Sequence, residues 1–377
     1  TNSRIPTEKA HGFQVMKMSE AFSKAGVELE LWIPGRFNQI KENPFSYYNI
    51  REIFCIKRIP VIDLMPMEKF LGPIVSLIES ISFAFFILFY LPKKDMENVI
   101  YSRDQFICWF LSFLNRKFIY EIHSFPKNLF WYKRLWCKAY RLVAITQGLK
   151  NLLIKQGIKA EKIIVASDAV DLEIFESVSA NKEELRDELN LPKDSFIVGY
   201  IGKFKTLEME KGIAIMLEAL PMVDKDIKMI FVGGEESEIN SYKTLANRFN
   251  IYSQALFFEY QPRIKAIKYM KATDALIIPF PNKPHYAFYA SPLKLFEYMA
   301  SGRPIIASDL PALREVLNDK NALFFKAGDA AELARAIKML KSSQMLGYHL
   351  SQQALADVKQ YTWRNRADKI LEFIKYK

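Results

Sequence analysis

Two kinds of apolar run alternate along the 377 residues. Short unbroken runs read as buried strands, and runs with an apolar residue every third or fourth position read as helices. PTEKAHGFQVMKMSEAFSKAGVELELWIP gives a loop, a helix ending near Gly26 and a strand at 27–33. NVIYSRD, QFICWFLSFLNR and KFIYEIHSFP give strand, helix and strand; RLVAITQGLKNLLIKQGI and KIIVASDAVDLEIF continue the alternation. A charged stretch at 173–195 without apolar periodicity reads as a linker. Beyond it come FIVGYIGKFKTLEMEKGIAIMLEAL, IKMIFVGGEES, ALFFEYQPR and ATDALIIPFP, each a strand with its loop or helix. The tail YTWRNRADKILEFIKYK reads as an amphipathic helix. Strands alternating with helices imply parallel sheets, hence an α/β fold with doubly wound domains. The length exceeds one comfortable core, so the expected division is 1–172, a linker at 173–195, 196–360 and a final helix at 361–377. A domain of this type opens on a buried strand, which is expected to precede Thr1.

The densest pattern is HYAFYASPLKLFEYMASGRPIIASDLPALREV, from His285 to Val316. It reads as a loop, a short helix, a stop at Gly302, a buried strand and a second helix start. Ser291 suits the N-cap and Pro292 the first helical position. Leu293, Phe296 and Met299 turn one face to a core, leaving Lys294, Glu297 and Tyr298 on the other. The free N–H groups of Leu293 and Lys294, at the positive end of the helix dipole, favour a phosphate. Glu297 lies roughly 7.5 Å along the axis from Pro292, at about 1.5 Å per residue. Its carboxylate would reach the vicinal hydroxyls of a ribose whose diphosphate sat at the helix start. An ordinary amphipathic helix with a solvated Glu297 is the competing reading.

Other polar residues fall at strand ends, where open parallel sheets bind ligands. Arg103 follows one strand, and Glu121 and His123 close the next. Lys203 and Lys211 bracket the loop after FIVGYIG, and Gly233-Gly234 would let a ligand approach the backbone. His11-Gly12 again places a small residue and backbone N–H groups at a helix start.

SPLKLFEYMASGRPIIASDLPALREVL resembles the donor-binding segment of the retaining GT-B glycosyltransferases of family 4. That resemblance implies two Rossmann-like domains facing across a cleft, the first on the acceptor side, with the last helix crossing back. It implies transfer of a hexose-type sugar from a nucleoside diphosphate to a hydroxyl of a saccharide or lipid-linked acceptor, as in glycolipid or polysaccharide synthesis. No metal or other cofactor is implied. YEIHS resembles the family's strand end whose imidazole lies beside the donor sugar, which assigns that place to His123. Lys203 and Lys211 stand for the family's Arg and Lys that clamp the diphosphate, in a loop longer by about three residues. Gly12, Gly233 and Ser291 join the donor side, and Tyr260 lies where the nucleobase is cradled. His11, Arg103 and Glu121 fall on the acceptor side. The family pairs Glu297 with a second Glu eight positions earlier, and here that position is Tyr289. Asp168-Ala169 stand where the family reads Asn-Gly. A nucleotide-sugar epimerase of the same fold and a catalytically inert partner subunit are the rival readings.

Composition narrows the classes further. Three cysteines (Cys55, Cys108, Cys137) without metal or redox spacing read as thiols of a reducing compartment. The polar opening TNSRIPTEKA does not read as a secretory signal, so a cytoplasmic location is expected. G-x-G is absent, which argues against a dinucleotide fingerprint. Residues 1–170 carry 24 Lys and Arg against 15 Asp and Glu. With no nucleic-acid motif, that excess suggests an anionic membrane surface or acceptor. FLGPIVSLIESISFAFFILFYL at 70–91, followed by Lys93-Lys94, leaves three readings open: a core helix, an interfacial helix or a span.

Overall fold

The computed structural model describes residues 1–64, 72, 74–91, 98–114, 116–126, 128–206 and 209–375. The chain divides into two compact units: Thr1–Asp168 with Trp363–Lys377, and Ala169–Thr362.

In the first unit β1 (Glu30–Pro34) pairs in parallel with β2 (Cys55–Ile59). A second parallel sheet takes β3 (Ile100–Ser102), β4 (Phe118–Ile122), β5 (Arg141–Ala144) and β6 (Ile163–Val165) in sequence order. All five residues of β4 are buried, as a strand covered on both faces requires. Helix Ala10–Lys24 packs on helix Trp363–Lys375, with Phe13 edge-on to Trp363 at 6.1 Å. The first helix begins earlier than its sequence suggests, so His11 and Gly12 lie in its first turn and not in a preceding loop. Packing accounts for Gly12: a Cβ there would fall 2.4 Å from both Thr7 Cγ2 and Tyr48 Oη. The strand expected at 27–33 begins only at Glu30.

The apolar run at 70–91 forms helix Ile74–Tyr90. Among the described residues no helix is long and apolar enough to cross a membrane. Phe83, Ala84 and Val75 enter the core, but so do Glu79 and Ser82. Glu79 is tied there by Arg36 at 2.5 Å. Ile74, Leu77, Ile81, Phe85 and Phe89 face outward. Phe70, Leu71, Pro73 and Lys93-Lys94 lie outside the described residues.

The second unit holds β7 (Phe196–Ile201), β8 (Lys205–Thr206), β9 (Met209–Glu210), β10 (Ile227–Gly234), β11 (Ala255–Glu259), β12 (Ala275–Ile278), β13 (Ile305–Ser308) and β14 (Leu323–Phe325). Six of them make one parallel sheet ordered β11-β10-β7-β12-β13-β14. Strand order reverses between β7 and β12, and ligands of doubly wound sheets bind at the carboxyl ends beside that reversal. β8 and β9 form an antiparallel hairpin within what the sequence suggests is a plain loop. Leu207 and Glu208 in that loop lie outside the described residues.

Residues 173–195 are not a linker. Helices Leu172–Glu176 and Lys182–Glu188 belong to the second unit and bury Phe175 and Leu185 in its core, joined there by Leu189 and Leu191 just after the second helix. Part of the charge that suggested a boundary is paired internally. Buried Arg186 donates to Asp274 at 2.6 Å, and Asp274 also accepts from Ile197 N at 2.7 Å.

Helix Leu293–Ala300 is fixed to the sheet by its own tyrosine. Tyr298 is fully buried, and not on the polar face with Glu297 as spacing suggested. Its hydroxyl accepts from Ile201 N at 2.8 Å and donates to Ile201 O at 3.0 Å, at the carboxyl end of β7. Leaving a buried donor and acceptor unpaired costs about 1–3 kcal/mol. Tyr298→Phe should therefore lower the urea midpoint of the second unit's unfolding, followed by circular dichroism. An unchanged midpoint would mean the clamp carries no net stability.

Candidate functional site

The carboxyl ends of β7, β10, β11 and β12 collect most of the donor-side residues named above. Gly202 and Lys203 leave β7, Gly233 is the penultimate residue of β10, Tyr260 follows β11, and Tyr289 to Glu297 follow β12. Gly233 is explained by the backbone of its neighbour strand more than by a ligand. A Cβ there would meet Gly202 C at 2.8 Å, and Gly202 N donates to Val232 O at 2.7 Å.

His285–Tyr289 form a turn of π-helix where a loop was expected, and helix Leu293–Ala300 follows. Its N-cap is Pro292 and not Ser291, because Pro292 adopts φ −76° and ψ 128° with no side-chain cap. The first-turn N–H groups of Leu293 and Lys294 therefore have no side-chain cap. Turning inward, Lys294 carries its ammonium 3.6 Å from the centre of the Tyr200 ring. The spacing had placed it on an exposed face; it is buried. Its Nζ makes no hydrogen bond. Burial and then the charge of Lys211 hold its pKa well below the ordinary lysine value.

Lys211 closes the hairpin loop by donating its backbone N–H to Phe204 O at 3.0 Å. Burial and then Lys203 push its pKa down to about 8. Lys203 lies exposed at the other end of the loop, where Tyr200 Oη donates to its carbonyl at 2.8 Å. Three lysines thus converge at one sheet end, and each like neighbour raises the cost of charging the next. Glu297 has a partner that the sequence did not reveal: Arg263 Nη2 meets its Oε1 at 3.0 Å. A carboxylate accepts about four hydrogen bonds, so this contact leaves capacity for a diol.

The first unit gathers a second polar cluster at the ends of β3, β4 and β6. Glu121 is buried and receives Arg366 at 3.1 Å, His123 Nε2 at 2.5 Å and the hydroxyl of Tyr101. Burial opposes ionisation of Glu121, but Arg366, His123 and Arg103 outweigh it and hold the carboxyl well below the usual range. Burial and then Arg103 push His123 down to about 4, so at neutral pH its Nε2–H donates to Glu121 and Nδ1 remains an acceptor. Gln14 bridges the group, accepting from Arg103 and donating to Asp168. Burial raises Asp168 to about 6. His11 is pushed down to about 4 by burial and then by Arg103. The sequence suggested His123, Glu121 and Arg103; it missed Gln14, Tyr101 and Arg366, which lie on helix faces or inside strands. Among the described residues no three His, Cys, Asp or Glu are grouped to hold a metal ion.

Comparison with known proteins places these features in a family context. A D-inositol 3-phosphate glycosyltransferase of Xylanimonas cellulosilytica is 24% identical over 240 residues, covering 61% of this chain and 55% of that protein. A phosphatidyl-myo-inositol mannosyltransferase of Mycobacterium leprae is 27% identical over 213 residues, covering 55% and 53%. The chain thus spans about half the length of the curated relatives it matches. The solved structure of Anabaena HepE in complex with UDP-glucose superposes with a TM-score of 0.73 at 17% identity, covering 99% of this chain and 97% of that one. It shares the GT-B fold of two Rossmann-like domains. Residues 195–343, which hold the lysine cluster and Glu297, match the family described as Glycosyl transferases group 1.

Proposed function

We propose that the chain is a glycosyltransferase that moves a hexose-type sugar, with retention, from a nucleoside diphosphate to a hydroxyl of a saccharide or lipid-linked acceptor. The product would serve glycolipid or cell-surface polysaccharide synthesis. The observation that carries this reading is the buried amine of Lys294, whose Nζ has no hydrogen-bond partner, beside Lys211 at a helix start with no side-chain cap on Pro292. Such a group is costly unless an anion arrives to pair with it. A diphosphate supplies that anion. In the reaction the bond from the anomeric carbon to the diphosphate oxygen breaks and a bond to the acceptor oxygen forms, while the hydroxyl proton passes to the departing diphosphate. Charge grows on the departing diphosphate, so Lys203, Lys211, Lys294 and the N–H groups of Leu293 and Lys294 stabilise it. No metal is needed to balance it. Glu297 holds the ribose, and Tyr260 and Ser291 flank the nucleotide. Tyr289 replaces the carboxylate expected at the sugar. In the first unit His123 Nδ1 offers an acceptor to a sugar hydroxyl, and Arg103 with Glu121 and His11 borders it. The reading carries with it a cytoplasmic location, peripheral to the inner membrane face. UDP-glucose, bound by the Anabaena protein, is the first donor to test.

Three outcomes follow from these groups. Lys211→Ala and Lys294→Met should each lower affinity for UDP by about tenfold or more while leaving uridine unchanged, read by calorimetric titration. Equal losses for both ligands would place the lysines elsewhere than at the phosphates.

Because Lys211 titrates at about 8 in the empty protein, a bound diphosphate raises its pKa. Binding at pH 8–9 should take up protons, seen as a dependence of the binding heat on buffer ionisation enthalpy. The same depression makes the unfolded chain bind more protons between about 8 and the ordinary value of 10.5. Stability without ligand should therefore rise with pH across that window.

Glu297→Ala should weaken UDP by about ten- to a hundredfold, the worth of roughly 1.5–3 kcal/mol in charge-assisted hydrogen bonds. Removing the ribose 2′-hydroxyl should cost the wild type affinity and the variant nothing more. A variant that still discriminated 2′-deoxy-UDP would put the ribose away from Glu297.

A further inference from the structure

Helix Ile74–Tyr90 packs along helix Gln105–Leu111, which in turn packs on helix Leu129–Lys138. Their outer sides are apolar. Phe130 is 80% exposed, the largest value for a bulky apolar side chain among the described residues, and Phe89 is 71% exposed. Trp131, Phe113, Phe85 and Ile81 are exposed with them. These rings touch one another instead of burying themselves: Trp109 lies 4.7 Å from Phe113 and 5.7 Å from Trp131, and Phe85 lies 5.1 Å from Phe89. A helix adapted to water turns polar residues outward, whereas here Glu79 and Ser82 point in while Phe85 and Phe89 point out.

Charge identifies what covers the face. Helix Leu129–Lys138 carries Lys133, Arg134 and Lys138 and no acid. Arg134 lies 4.1 Å over the Phe113 ring, while Lys133 and Lys138 are exposed. Between 98 and 141 the only acids in the sequence are Asp104 and Glu121. Both are used internally: Asp104 caps a helix by accepting from Ile107 N at 2.9 Å, and Glu121 is buried. An apolar, aromatic face rimmed by the basic, acid-free helix Leu129–Lys138 matches the boundary between acyl chains and anionic headgroups.

We propose that this three-helix face docks the protein on an anionic bilayer, with Phe85, Phe89, Phe130 and Trp131 inserted and Lys133 and Lys138 among the headgroups. The surface lies wholly in the first unit and does not rest on the nucleotide reading. Flotation of the full chain with vesicles tests it directly, using phosphatidylcholine alone or mixed with phosphatidylglycerol, at low and high salt. The protein should rise with the mixed vesicles at low salt and be released by high salt. Each removed charge lowers partitioning about fivefold, so Lys133→Glu with Lys138→Glu should lower it about twenty-five-fold or more. Phe85→Ser with Phe130→Ser and Trp131→Ser should abolish flotation while leaving the melting temperature within a few degrees. The proposal is overturned if the wild type stays at the bottom with mixed vesicles at low salt. It is also overturned if both variants float as the wild type does. A wild-type dimer that the serine variant dissociates, without flotation, would assign the face to a second copy and overturn it equally.

Discussion

An amine taken out of water without an anion is costly to charge, and the ligand end of the second unit is built around one. Lys294 lies against the face of Tyr200, an attraction of about 0.5–2 kcal/mol that offsets only part of its desolvation. The helix carrying it is held to β7 by the Tyr298 hydroxyl and followed by a buried strand, β13. The helix start, the approach of Gly233 to Gly202 and the hairpin that brings up Lys211 all bear on the same few ångströms.

The first unit solves the opposite problem. Its buried carboxylate, Glu121, is shared among an arginine, a histidine and a tyrosine, and its neighbour Asp168 is reached through Gln14. Charges here are compensated within the chain, and the histidine is held in one tautomer by the bond it makes. A network satisfied in this way specifies geometry. One unit thus gathers lysines at a sheet end, and the other keeps a fixed set of donors and acceptors.

Strand runs were readable because parallel strands buried on both faces need unbroken apolar stretches, as in FIVGYI and KMIFV. The Ser291 to Val316 pattern was readable because turn, helix and stop residues coincide there. Three features escaped for physical reasons. Lys294 and Tyr298 fall on the helix face that spacing marks as polar, and only the packing of that helix on β7 buries them. The charged stretch after Leu172 hid a core contribution because its apolar residues, Phe175, Leu185 and Leu189, are diluted by ion-paired ones. Arg263 and Glu297 are 34 residues apart in sequence, and no local pattern announces such a pair.

The helix Trp363–Lys375 lends Arg366 to a carboxylate more than 240 residues earlier, together with bonds to the carbonyls of Ala166 and Ser167. A ribosome makes these partners in a fixed order. Glu121, Tyr101 and His123 are synthesised long before Arg366, so for that interval the carboxylate lacks its closest guanidinium partner. The second unit, contiguous from Ala169 to Thr362, meets no such delay. The later-made unit can therefore finish folding first, while the earlier one waits for the last helix, exposed meanwhile to chaperones and to aggregation.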